Sequence, residues 1–181
     1  MQFQKSLLTA TLLAAASLTA VSANAAGTAT GNFDVKLTIN SVCSVTTASG
    51  ANDIDFGDID AGTDMSAIIE ASTADIAVQC SKNAPYFINL TPQNVTSTTG
   101  AGTLNGPGTD TVGYQLYSNA GATTVWGNEA VLGTVGNGVQ GKGNGLSPAA
   151  TTNHKVYAKL TTTTDVQVGD YIDTVKVDVI Y

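Results

Sequence analysis

The 181-residue sequence contains no arginine, seven lysines, one histidine, two cysteines and one tryptophan, and only 12% of its residues are charged. Each scarcity excludes something. Without arginine, and with 14 acids leaving a formal charge of −7, no basic face exists to neutralise phosphates, which argues against nucleic-acid binding. One histidine and two cysteines cannot build a structural zinc site, and the cysteines are too far apart in sequence for a CxxC redox centre. Glu, Lys and Arg, the usual exposed helix formers, are largely replaced by Thr, Ser, Asn and Gly, a palette that favours strands joined by turns. Hydrophobic residues still make up 43% of the chain, enough for a packed core. The composition thus points to a small, acidic, all-β protein with one domain.

The first 25 residues read as a secretory signal. Lys5 lies in a short positive head, Leu7–Val21 is an uncharged apolar run, and Ala23-Asn24-Ala25 supplies small residues where a signal peptidase cuts. The run is short and rich in Ala, Ser and Thr for a membrane span, and no later stretch is long enough for one, so no membrane insertion is expected. Export places Cys43 and Cys80 in an oxidising compartment, where an even pair is expected to form one disulfide, worth roughly 3–4 kcal/mol on the chain-entropy model.

Apolar residues recur with period two along the rest of the chain. Phe33, Val35, Leu37 and Ile39 alternate with polar residues, and so do Ile54 and Phe56. The same holds for Val112, Tyr114 and Leu116, for Val156, Ala158 and Leu160, and for Val175, Val177, Val179 and Tyr181. Outside the signal no helical stripe competes, so a two-sheet sandwich is the expected architecture. Residues 95–110 and 133–153, rich in Gly, Thr and Asn, read as two long surface loops. Residues 29–39 form a strand-ready segment with one clean apolar face. It could pair in its own sheet or in that of a neighbour. The chain stops inside the alternation at Tyr181, which predicts a groove open to a strand from another molecule.

The patterns that suggest chemistry fail in their details. Asp53, Asp55, Asp58, Asp60 and Asp64 form an acidic cluster, but the sixth residue counted from Asp53 is Asp58 where a calcium loop requires Gly. Residues 136–142 imitate the start of a phosphate loop, yet Gly143 stands where Ser or Thr is needed, and the stretch reads as a flexible loop. Gly145-Leu146-Ser147 falls short of a nucleophile elbow, and His154 sits in a Thr/Asn run that reads as solvated. Two N-x-T triplets begin at Asn89 and Asn94, a pattern short enough to arise by chance. Trp126 and the tyrosines fit a core or a sheet face better than a sugar platform. No catalytic constellation, cofactor site or metal site emerges.

The segments GNFDVKLTINSVC (31–43), IDFG (54–57), GYQLY (113–117) and GDYIDTVKVDVIY (169–181) resemble the spore coat U family, the pilins of archaic, Csu-type chaperone–usher pili. The likeness runs through the chain after the signal and is strongest at its two ends. It implies an incomplete immunoglobulin-like β-sandwich that lacks its last strand and is completed by donor-strand complementation. The implied partners are a periplasmic chaperone, an outer-membrane usher and neighbouring copies of the pilin. The implied role is that of a structural subunit, the major pilin, of a surface fibre that supports biofilm formation and attachment. On this resemblance residues 26–40 are the donor segment, with Phe33, Val35, Leu37 and Ile39 as anchors, and residues 41–181 are the sandwich. Val175, Val177, Val179 and Tyr181 border the acceptor groove. Gly31, on the apolar face of the donor, would mark a close approach to a bulky acceptor residue. The alternative is a secreted monomeric β-sandwich that binds carbohydrate, which requires a complete sandwich and aromatic residues grouped on an exposed face.

Overall fold

The computed structural model describes residues 26–47, 50, 53–63 and 70–181. The signal reading of residues 1–25 and the acid Asp64 therefore lie outside the described residues. The chain divides into two units, Met1–Thr38 and Ile39–Tyr181. In the first, residues 26–38 form no ladder and are exposed throughout.

Among its described residues the second unit has eight strands: β1 (Cys43–Thr46), β2 (Glu70–Cys80), β3 (Pro85–Pro92), β4 (Ala101–Asn105), β5 (Thr111–Tyr117), β6 (Val139–Lys142), β7 (Thr152–Leu160) and β8 (Val175–Ile180). They form a five-stranded sheet in the order β1-β2-β7-β5-β4 and a three-stranded sheet in the order β6-β3-β8. Every ladder is antiparallel. No α-helix occurs among the described residues, and the only helical turn is a 3₁₀ turn at Pro148–Ala150. The expected all-β, two-sheet architecture is thus what the chain adopts.

The period-two pattern becomes the core directly. Ile76, Val78 and Cys80 of β2, Val112, Tyr114 and Leu116 of β5, and Val156, Ala158 and Leu160 of β7 line the inner face of the larger sheet. Tyr86, Ile88 and Leu90 of β3 meet them from the smaller sheet, and Trp126 fills the space between, its indole N–H donating to the Ile88 carbonyl at 2.9 Å. A buried indole needs such a partner, because an unpaired N–H would carry its full desolvation penalty. The Cys43–Cys80 disulfide forms as expected and joins directly paired residues of β1 and β2.

Two glycines make room for this core. Gly102 of β4 pairs with Tyr114, and Gly141 of β6 pairs with Tyr86. A Cβ at either position would come within 2.1 Å of the tyrosine ring. Each glycine thus lets a buried aromatic lie across the backbone of its neighbouring strand.

Several expectations are corrected. Residues 95–110 contain β4, and residues 133–153 contain β6, the 3₁₀ turn and the start of β7, so neither is a structureless loop. The stretch read as a flexible phosphate-loop mimic ends in β6. The alternation carried by short runs such as Val139–Lys142 is obscured by Gly141, which serves packing rather than turning. Conversely, residues 53–60 form no strand: Ile54, Phe56 and Ile59 pack half-buried against the core without a ladder.

Candidate assembly site

The chain carries two apolar alternations in very different surroundings. On the N-terminal one, Phe33, Val35, Leu37 and Ile39 are 87%, 88%, 84% and 82% exposed. Four large hydrophobic side chains on one face of an extended segment are far from the usual scatter of single exposed apolar residues. A Cβ added to Gly31 meets nothing within 4 Å, so its lack of a side chain answers no crowding within the chain. On the opposite face of this segment Asp34 and Lys36 form an ion pair at 3.3 Å.

The other alternation is β8. Val175, Val177 and Val179 pack half-buried against the core, while Tyr181 is half-exposed. Among the described residues β8 has one strand neighbour, β3, in a register running from Phe87 opposite Ile180 to Pro92 opposite Val175. β1, at the edge of the other sheet, lies near it. On the outward face Lys176 and Asp178 form an ion pair at 2.9 Å, and their β3 partners, Thr91 and Asn89, carry no charge.

The approach to β8 is held more firmly than its edge. The Asp173 carboxylate accepts hydrogen bonds from the backbone N–H groups of Thr174 at 2.7 Å and Asn94 at 3.0 Å, and from the buried Tyr114 hydroxyl at 2.8 Å. Asn94 in turn donates through its amide to the Ile172 and Thr103 carbonyls, and Ile172 bridges to Asn105 at the end of β4. Burial and the neighbouring Asp173 carboxylate push the Tyr114 hydroxyl far above its ordinary value, so it stays a donor. Asp173 thereby joins β5 of one sheet to the ends of β3 and β8 in the other, and no sequence pattern singles it out for that role.

A second tyrosine makes a matching cross-sheet contact. The Tyr86 hydroxyl lies 2.7 Å from His154 Nε2, with the two rings edge to face. His154 was expected to be solvated; it is half-buried instead, and burial lowers its pKa and raises that of Tyr86. The Thr/Asn-rich run around it is the start of β7, where alternate residues turn inward.

Among the described residues no group of three or more His, Cys, Asp or Glu side chains is placed to hold a metal ion. Asp55 accepts the backbone N–H of Gly57 at 2.8 Å in a local turn. Trp126, Tyr86 and Tyr114 are buried.

Among the described residues, two antiparallel sheets, an exposed apolar segment and an edge strand paired on one side define a class of all-β sandwich protein. The family profile for the spore coat protein U domain matches residues 29–178. Protein U of Myxococcus xanthus is 30% identical over 174 residues, covering 92% of each chain. This chain belongs to the spore coat protein U domain family. Among solved structures it is similar to a chain of the CsuC–CsuE chaperone–tip adhesion subunit pre-assembly complex from archaic chaperone–usher Csu pili of Acinetobacter baumannii, with 19% identity and a TM-score of 0.49. That match covers 80% of this chain and 41% of the other.

Proposed function

We propose that this protein is a structural subunit of a surface pilus, polymerised by donor-strand exchange. Residues 28–40 of one copy enter the groove beside β8 of the next. The observation that carries this reading is the exposure of Phe33, Val35, Leu37 and Ile39, all on one face of the same segment. Burying four such side chains at roughly 1.5–3 kcal/mol each gives about 6–12 kcal/mol as an upper bound. Pairing along the edge of β8 adds main-chain hydrogen bonds that an edge strand otherwise leaves to water.

The donor and the groove are different surfaces, so the contact is head to tail and propagates as an open fibre. An exposed edge of this kind needs cover before assembly, which is the part taken by a periplasmic chaperone; an outer-membrane usher then exchanges that strand for the donor. Export behind a cleaved signal, display at the cell surface, the role of major pilin, and support of attachment and biofilm formation complete the proposal. The carbohydrate-binding alternative has less to draw on among the described residues: Trp126, Tyr86 and Tyr114 are buried, and the outward face of the larger sheet offers the directly paired, half-exposed Tyr117 and Tyr157.

The test is to warm purified surface material to graded temperatures and resolve it on denaturing gels. A ladder of subunit multiples that collapses to one band on boiling is expected. A single monomer band at every temperature, from a chain that refolds unaided, overturns the proposal.

A further inference from the structure

The donor and β8 carry the same outward ion pair in opposite chain order: Asp34-Val35-Lys36 on one, Lys176-Val177-Asp178 on the other. We propose that these four charges fix the register of the joint between copies, with Lys36 of the incoming donor opposite Asp178 and Leu37 opposite Val177. This inference rests on the donor-strand reading above and identifies the specificity-determining residues of its interface.

The apolar face of the donor must meet the face of β8 that carries Val175, Val177 and Val179, so the register can change only in steps of two. Every ladder among the described residues is antiparallel, and antiparallel pairing is the more stable per residue. With Val35 opposite Val177, Asp34 faces Asp178 and Lys36 faces Lys176, two like-charge pairs that destabilise directly opposed strands. With Phe33 opposite Val177, Asp34 meets Lys176, but Leu37 is carried to Asp173, whose carboxylate already accepts the Tyr114, Asn94 and Thr174 hydrogen bonds. With Ile39 opposite Val177, no like charges meet, but Phe33 is left without a partner among Val175, Val177, Val179 and Tyr181. With Leu37 opposite Val177, both criteria are met. Ile39, Leu37, Val35 and Phe33 then oppose Val175, Val177, Val179 and Tyr181, and Lys36 opposes Asp178. Thr38 faces Lys176, and no like charges stand directly across from each other. The neutral β3 partners Asn89 and Thr91 leave Asp178 and Lys176 without charged cross-strand neighbours on their paired side.

Both tests use the full chain, exported by the producing cell. In the first, Thr38→Cys keeps both donor charges, Asp34 and Lys36, and is combined in turn with Lys176→Cys, Thr174→Cys or Ile180→Cys. The expected result is a covalent ladder on non-reducing gels for the Thr38/Lys176 combination. The native Cys43–Cys80 bridge lies within one chain and contributes no rungs. Preferential linkage of Thr38 to Thr174 means the like-charge register, and linkage to Ile180 means a parallel donor or an antiparallel one displaced by about four residues; either overturns the inference.

In the second test, the donor charges are exchanged (Asp34→Lys with Lys36→Asp), the β8 charges are exchanged (Lys176→Asp with Asp178→Lys), and the two exchanges are combined. Each exchange preserves the ion pair within its own strand. Either alone should shorten polymer lifetime at elevated temperature by about two- to five-fold, and the combination should restore it. A lifetime unchanged or lengthened by the donor exchange alone overturns the inference. If the unaltered protein gives no heat-sensitive ladder at all, it is the subunit reading that fails.

Discussion

Residues 33–39 and 175–181 carry nearly the same pattern, large apolar residues alternating with polar ones and one ion pair on the polar face, yet they live in different surroundings. The first is extended, exposed and without a ladder; the second lies against β3 with its valines half-buried. Period two makes a segment compatible with a strand but supplies no partner. A strand alone cannot offset the entropy of ordering its residues and becomes stable only when a sheet edge and a core accept it. On the proposed function these two regions are the halves of one joint, so altering each half should give distinguishable results.

The largest expected effect breaks the exposed half. Phe33→Asp or Leu37→Asp should leave the fold unchanged, because neither side chain is buried, and should abolish incorporation into fibres. The measurement is secretion of folded monomer set against loss of the heat-sensitive ladder. Val177→Asp, in the half-buried partner, should instead lower stability and assembly together, since it places a carboxylate against the core. If Val177→Asp and Leu37→Asp behave alike in thermal unfolding, the contrast between the two regions is false.

The next effect concerns the interior against which β8 rests. Replacing Cys43 and Cys80 with Ser should cost about 3–4 kcal/mol on the chain-entropy model, read as a lower denaturant midpoint in the monomer. Gly141→Ala should cost about 1–3 kcal/mol, because the new Cβ falls 2.1 Å from the Tyr86 ring and the neighbours must shift. The exposed Gly31→Ala meets nothing within the chain and should leave monomer stability essentially unchanged. A drop in monomer stability from Gly31→Ala, or none from Gly141→Ala, would show that the two glycines have been assigned the wrong roles.

What could be read in the sequence, and what could not, follows the same division. Val112–Leu116, Val156–Leu160 and Val175–Val179 were legible as strands because each alternates cleanly and keeps one face on the core. β4 and β6 were not, because Gly102 and Gly141 interrupt the alternation and glycine ordinarily signals a turn; their reason is a tyrosine on the neighbouring strand. Residues 53–60 erred the other way, with an alternating pattern and half-buried Ile54 and Phe56 but no ladder. The disulfide was legible from compartment and count. The Asp173 cluster was not, because a carboxylate that joins three chain segments looks in sequence like any Asp in a turn.

The smallest expected effect tests His154, which the sequence reads as solvated, together with its partner Tyr86. His154 is half-buried, which disfavours its charged form and depresses its pKa in the folded state, and its ring shares a hydrogen bond with the buried Tyr86. Above the ordinary histidine value of about 6.5 neither the folded nor the unfolded state holds the proton, and this group adds no pH dependence. As pH falls below that value the unfolded chain takes up a proton that the folded chain resists, so stability declines; the decline stops once the depressed folded pKa is passed. Thermal unfolding of the monomer should therefore show a downward step that begins near pH 6.5, and His154→Asn should remove that step while the loss at lower pH from carboxylate protonation persists. Tyr86→Phe should lower stability at neutral pH by about 1 kcal/mol by removing the hydrogen bond, while the burial that depresses His154 keeps the step in place. An upward step in stability on acidification would mean that His154 gains an anionic partner on folding, and the cross-sheet contact with Tyr86 would then not be its principal environment.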